Sequence, residues 1–284
     1  MAEIETLVED IYEILSEDTD HTASEEFLEE AAEALKAILR RRLQKQERQG
    51  TLRFSNLGRP DCQVWYSVNR PEAREKLSPQ VLMKFLYGDL LEILLLYLAK
   101  EAGHEVSHEQ HEVECDGVLG HIDAIIDGVV VDVKSASPFA FKKFQTGQVA
   151  SDDPFGYIAQ LSGYCNELKR EGAFLAINKE SGGICLAPLA TEDREKNPPG
   201  PVIEHQREML HSSTVPSRFD PVPDGKSGNL ALPVICSYCD AKKDCWKDAN
   251  DGQGLRTFIY SRGPRYLTKV VREPDVYEVF EGNN

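Results

Sequence analysis

Three residues in the middle of the chain have the types and spacing for hydrolytic chemistry: Asp123, Asp132 and Lys134. They fall within Leu119–Ser135, which reads as two β-strands. An apolar run from Ile122 to Ile126 is followed by the pair Asp127-Gly128 and a β-branched run from Val129 to Val133. Asp-Gly between two such runs is a strong hairpin signal. Strand positions disfavour Asp, and a carboxylate beside an apolar sheet is costly unless it is paired or holds a cation. Residues two apart on a strand share a face, so Asp132 and Lys134 project together, and an antiparallel partner can bring Asp123 alongside. Two carboxylates and an ammonium converging on one point suit a hard divalent cation that activates water against a phosphodiester. For so short a pattern the plain alternative is a surface ion pair on a twisted hairpin.

The flanking segments supply the elements that must position these groups. Pro79 to Ala102 predicts a long helix with a broad apolar face, on which Gly88 and Glu92, four apart, lie on the same side. Glu92 becomes relevant if that helix packs over the sheet carrying Asp123. Residues 105–115 alternate loosely and read as a strand ahead of the hairpin. Gly156 to Arg170 reads as a helix with Gln160 and Tyr164 four apart, and Ala173–Ile177 with Ile184–Pro188 as a second hairpin. Pro138 to Gln148 interleaves Phe139, Phe141 and Phe144 with Lys142 and Lys143. Such a mixture stacks bases and holds phosphates, or anchors a loop to the core.

Cys236, Cys239 and Cys245 place three thiols within ten residues. A Cys-x-x-Cys turn lets two thiolates meet one metal, and the third returns from the next turn. The fourth ligand is best supplied by Cys62, at the end of the irregular segment Leu57-Gly-Arg-Pro-Asp-Cys62. Cys115, Cys165 and Cys185 sit within expected strands or helices and read as core thiols. Tetrahedral zinc and a cubane 4Fe–4S cluster both accept four thiolates, and a structural disulfide is the remaining possibility.

At 284 residues the chain can bury a full core, as one large domain or one domain with extensions. Its formal net charge of −16 argues against a nucleic-acid partner only until it is divided along the chain. Residues 1–30 hold twelve Asp and Glu and no Lys or Arg, whereas residues 31–50 hold six basic and two acidic side chains. Residues 255–272 hold five basic and no acidic ones, in a pattern that predicts a hairpin around Arg262 and Arg265. The acidity belongs to an N-terminal arm: an amphipathic helix over residues 2–17, then a helix from Ser24 to about Arg48. That arm reads as solvated helix or as a docking element for a protein partner. No apolar run reaches membrane-spanning length and no secretory leader is recognisable. The expectation is a soluble, cytoplasmic, nucleoid-associated protein without a membrane partner.

Taken as an ordered set, these motifs match a known pattern. Gly88-x-x-x-Glu92, Gly120-x-x-Asp123, Asp132-x-Lys134 and Gln160-x-x-x-Tyr164, bracketed by Cys62 and the Cys236/Cys239/Cys245 triplet, resemble the RecB-like branch of the PD-(D/E)xK nucleases. More narrowly they resemble its iron–sulfur members: the CRISPR-associated RecB-type exonucleases, their phage-encoded relatives and the nuclease domain of AddB. The resemblance covers roughly residues 54–250. It implies an α/β, restriction-endonuclease-like core with a central mixed sheet flanked by helices, a helical N-terminal arm and a C-terminal Fe–S segment. The corresponding divisions are 1–50, 51–254 and 255–284.

The resemblance also implies the site. Mg2+ or Mn2+ is expected on Asp123, Asp132 and the Val133 carbonyl, with Glu92 as a further ligand where many relatives carry His. Lys134 would orient or deprotonate the attacking water, and Gln160 and Tyr164 would position Lys134 and the DNA backbone. Cys62, Cys236, Cys239 and Cys245 would hold a structural 4Fe–4S cluster. His121 is expected to face away and be structural. The expected activity is a metal-dependent DNA exonuclease hydrolysing single-stranded DNA or duplex ends. The alternative is a non-catalytic DNA-binding or scaffold protein of a recombination or CRISPR integration complex, with a structural zinc or Fe–S site.

Overall fold

Helices α1 (Leu7–Ile14), α2 (Glu25–Leu43), α3 (Asp61–Asn69) and α4 (Pro79–Glu101) precede the first strand. The computed structural model describes residues 3–44, 50–261 and 263–279. Its contacts divide the chain into one unit of residues 1–47, 52–59 and 78–205 and another of residues 48–51, 60–77 and 206–284. The stretch 51–254, expected to be one core, is shared between them.

In the first unit, strands β1 (Val106–Ser107), β2 (Glu112–Cys115), β3 (Val118–His121), β4 (Ala124–Ile126) and β5 (Val129–Ala136) are followed by helices α5 (Pro138–Gln145) and α6 (Tyr157–Leu168). Strands β6 (Gly172–Asn178) and β7 (Ile184–Pro188) complete a five-stranded mixed sheet of order β1-β4-β5-β6-β7. Only the β5–β6 pair is parallel, which is why α5 and α6 intervene between those two strands. The Asp127-Gly128 turn forms as expected, with both residues at positive φ (48° and 85°) and Ile126 opposite Val129. Two expected strands are broken. Residues 105–115 divide into β1 in the main sheet and β2 in a separate two-stranded sheet with β3. The apolar run from Ile122 does not begin a strand either: the regular strand starts only at Ala124, leaving Asp123 in a bend.

Strand alternation splits the core into two layers. Val131 and Val133 face one cluster with Leu95, Ala99 and Leu175, while Val130 and Ala136 face another with Leu161, Tyr164 and Phe174. Helix α4 covers the first face; Ser78 caps it through a hydrogen bond from the Val81 N–H, and Pro79 occupies its first turn. The acidic N-terminal segment belongs to this layer. Leu7 and Ile11 of α1 are fully buried against it. Buried His104 joins α1 to the hairpin turn, with Nδ1 2.6 Å from Asp127 and Nε2 3.2 Å from Asp10. Helix α2 lies on α4 without burying a residue. Arg42 forks onto Asp89 at 2.5 and 2.7 Å, and Lys100 reaches Glu30 at 2.6 Å. The N-terminal helices are therefore part of the unit and not a free arm. The expected end of α2 near Arg48 lies outside the described residues.

Helix α7 (Thr191–Lys196) packs on α6, and α8 (Pro199–His211) follows. Among its described residues the second unit contains α3, the single-turn helices α9 (Val234–Ser237), α10 (Lys242–Cys245) and α11 (Ala249–Gly252), and strands β8 (Val222–Pro223), β9 (Leu230–Ala231), β10 (Arg256–Tyr260), β11 (Gly263–Lys269) and β12 (Glu278–Val279). The strands form an antiparallel sheet of order β12-β10-β11-β9-β8. The terminal hairpin exists as β10–β11, but two of its arginines are paired with carboxylates from neighbouring segments. Arg256 binds Glu273 and Glu278, and Arg265 donates to Asp224 at 3.0 Å. Arg262 lies outside the described residues. Among the described residues no helix is long and apolar enough to cross a membrane.

Candidate active site and cysteine pocket

Asp132 and Lys134 occupy alternate positions of β5 and project from the same face, as their spacing predicts. Asp132 is buried, and its carboxylate forms an ion pair with the Lys134 ammonium. That ammonium also sits 4.8 Å from the centre of the Tyr157 ring. Tyr157, Gln160 and Tyr164 follow one side of α6 at helical spacing. Tyr157 had no distinguishing signal in the sequence beyond that spacing.

Asp123 reaches the same place from the bend. Its Oδ2 accepts the Val133 N–H at 2.7 Å. Strand β4 pairs with β5 only as far as Ala124–Val131, so the side chain takes over where the ladder stops. The Val130 N–H turns the other way, to Glu171 beside β6. Backbone alternation therefore directs both the N–H and the carbonyl of Val133 to the edge occupied by Asp123. Glu92 enters from α4 and accepts a 2.7 Å hydrogen bond from Gln110. It also borders a cleft between α2 and α4 of about 220 Å³.

The electrostatics are those of crowded carboxylates. Burial, then the charges of Asp132 and Glu92, raises the Asp123 carboxyl well above its ordinary value. Glu92 is pushed up to about 7 by burial, then by Asp89 and Asp132. Burial works against the charge on Lys134, but Asp132 and Asp123 override it and hold the ammonium above its ordinary pKa. In the metal-free chain the Lys134 ammonium is thus held charged by its carboxylate neighbours.

Gln160 donates to the Tyr164 hydroxyl at 3.4 Å, and Tyr164 is buried in a stack with Phe54, ring centres 4.7 Å apart. Burial pushes the Tyr164 hydroxyl up to about 12. Gly120 explains itself here: a Cβ at that position would lie 2.6 Å from both the Tyr164 hydroxyl and the Phe54 Cβ. Lys134 is brought to Asp132 and Tyr157, whereas Gln160 is brought to Tyr164. His121 is exposed and lies 3.6 Å from Glu112, away from the carboxylates. In α5, Phe141 and Phe144 are core residues, while exposed Phe139 lies under Lys143, which binds Asp152. Of the expected phosphate-binding lysines, Lys143 is therefore already matched.

Hard oxygen donors and surplus buried negative charge fit a divalent cation of the Mg2+ or Mn2+ kind. The carboxylates are adjacent but not convergent, because Lys134 takes Asp132 and the Val133 N–H takes Asp123. Among the described residues no group of three or more His, Cys, Asp or Glu side chains is drawn together as a formed metal site.

In the second unit Cys62, Cys236, Cys239 and Cys245 line one small pocket and none is in a disulfide. Cys62 comes from the first turn of α3, not from an irregular loop. Burial, reinforced by neighbouring cysteines, pushes Cys236 up to about 12 and Cys245 to about 11. Burial likewise raises Cys239 to about 11 and raises Cys62. Four buried thiols within electrostatic reach fit a soft four-thiolate centre, zinc or iron–sulfur alike. Two cations the sequence did not single out brace the pocket. Arg218 donates to the Cys245 carbonyl at 2.6 Å, forks onto Asp248 at 2.7 Å and lies 4.1 Å over Trp246; Lys242 donates to the Cys239 carbonyl at 3.2 Å.

No protein-family model matches this chain, and no curated protein matches it. Among solved structures it is similar to "Crystal structure of SSO0001", with 17% identity, a TM-score of 0.39, and coverage of 73% of this chain and 91% of that one. A likeness that loose bears on neither fold detail nor function.

Proposed function

We propose that this chain is a metal-dependent deoxyribonuclease with a PD-(D/E)xK core, an exonuclease acting on single-stranded DNA or duplex ends. One observation carries the reading. Asp132 and Lys134 share a face of the central strand, and Asp123 is held at the adjoining strand break by the backbone of Val133. Glu92, Asp123, Asp132 and the Val133 carbonyl would hold Mg2+ or Mn2+. Such an ion supplies Lewis-acid polarisation and lowers the pKa of water.

The chain's own residues do the rest. Lys134, on the same strand face as Asp132, orients the nucleophile and offsets charge growing on the phosphoryl oxygens. Tyr157 supports the ammonium from the ring face, and the Gln160–Tyr164 pair borders the same face and orders the DNA backbone. Exposed Lys142 adds a phosphate contact that carries no sequence preference. Cys62, Cys236, Cys239 and Cys245 would hold a structural 4Fe–4S cluster, with Arg218 and Lys242 offsetting thiolate charge. The chain would work inside the cell, on DNA, with the N-terminal acidic surface available to a protein partner.

The test uses anaerobically purified chain with Mn2+ or Mg2+ on end-labelled linear and covalently circular DNA, single- and double-stranded. Linear DNA should be degraded and circles spared. Asp132→Ala and Lys134→Ala should each lose on the order of a hundredfold or more in rate while remaining folded. Undiminished cleavage by purified Asp132→Ala, or none by the native chain with either metal, would overturn the reading.

A further inference from the structure

We infer that Gln110 is a positioning residue for the candidate metal ligands, joining Glu92 to Asp123; this rests on the nuclease reading above. Gln110 lies between β1 and β2, in the stretch where the expected single strand is broken. Its side-chain Nε2 donates to Glu92 Oε1 at 2.7 Å, and its backbone N–H donates to the Asp123 carbonyl at 3.1 Å. One residue thus fixes both the α4 carboxylate and the bend that carries Asp123. The bend is held again one residue later, where the Ile122 N–H donates to the His111 carbonyl at 3.1 Å.

The backbone marks the same residue. Gln110 has φ 53° and His108 φ 55°, both in the left-handed region. Histidine tolerates that region comparatively well; glutamine has no such ease. Gln110 is exposed, so burial does not force the conformation on it. A side chain held in an unfavourable backbone state, without core packing to gain from it, is the pattern found where strain serves a site.

The amide is also the right chemistry. It satisfies one oxygen of Glu92 and leaves the other for a ligand. Being uncharged, it neither repels a cation, as lysine would, nor adds to the carboxylate crowding, as glutamate would. Partners of this kind typically account for ten- to hundredfold in metal affinity.

The test is Mn2+ titration of the full chain without DNA, at fixed pH, alongside thermal melting. Gln110→Met keeps the length and removes the donor; Gln110→Gly removes the donor and relieves the backbone. Both should weaken Mn2+ binding by about ten- to hundredfold, with Gln110→Gly melting at or above the temperature of Gln110→Met. In a Glu92→Ala background either substitution should change Mn2+ affinity much less, because the two residues act as one unit. Native affinity in both single variants, or the same loss with and without Glu92, would overturn the inference while leaving the nuclease reading intact. A native chain that binds no Mn2+ overturns both.

Discussion

The Asp123 carboxylate accepts the Val133 N–H at 2.7 Å, at the point where β4 stops pairing with β5. A side chain has replaced a strand residue in the ladder, which both satisfies a buried donor and places a carboxylate at the sheet edge beside Asp132. Structural and chemical roles therefore converge on one group, and substitutions separate them. Asp123→Asn keeps an acceptor for Val133 and should fold normally while losing Mn2+ binding and cleavage. Asp123→Ala should lose both, and in addition about 1–3 kcal/mol of stability from the orphaned N–H. Denaturant unfolding with parallel cleavage assays checks the pair; equal stability of the two variants contradicts the structural half.

Glu92 gives a pH signature in metal-free protein. Its pKa rises from 4.5 to about 7 on folding, so between those values the native state binds more protons than the unfolded one. Stability should therefore fall as pH increases through that window and level off above it. Glu92→Gln should remove that component of the slope. Melting temperatures from pH 4.5 to 8, native against Glu92→Gln, decide it; identical profiles count against the buried-carboxylate assignment.

The two motif glycines should behave oppositely. Gly120→Ala places a methyl 2.6 Å from Tyr164 and Phe54 and should cost about 1–3 kcal/mol by overpacking. Gly88 lies within α4, and the nearest atom to a new methyl is the Ser135 hydroxyl at 3.6 Å. Gly88→Ala should be neutral or stabilising by up to about 1 kcal/mol through helix propensity. Paired thermal melts test this, and a larger loss for Gly88→Ala contradicts it.

The cysteine pocket predicts coupled loss of colour and stability. A centre shared by Cys62 and the Cys236–Cys245 segment closes a loop of well over a hundred residues. In the disulfide model such closure is worth roughly 4 to 5 kcal/mol, and metal–ligand bonding adds to it. Cys62→Ser should lose iron, the broad absorbance of an iron–thiolate cluster and thermal stability together. Because burial keeps these thiols protonated, loading should release protons and weaken as pH falls. Anaerobic protein that is colourless and contains zinc without iron decides for zinc.

Much of the site's chemistry was legible because it was periodic. Asp132 and Lys134 fall two apart, Gln160 and Tyr164 four apart, and Asp127-Gly128 declares its own turn. The groups that were not legible sit where periodicity fails. Gln110 lies in a loop and Arg218 in a Pro-rich stretch, and Asp123, though singled out by type and spacing, sits in a bend and not in the strand expected for it. Lys134 acquires Tyr157 only because α6 packs on β5. Charge counting misled for a related reason. It sees twelve acidic side chains before residue 31 but not the burial of Leu7 and Ile11. It sees Arg256, Arg265 and Lys143 but not Glu278, Asp224 and Asp152, which bind them.

Helix α2 lies against α4 without burying a single residue, with Arg42–Asp89 and Lys100–Glu30 among its fastenings. A segment attached in that way exchanges its amide hydrogens by opening locally, long before the sheet does. Added salt weakens exposed ion pairs, so raising ionic strength should hasten exchange across Glu25–Leu43 while leaving β5 and β6 protected. Because α2 is one wall of the cleft that Glu92 borders, the solvent reaching that carboxylate is set by the fraction of time this helix is seated.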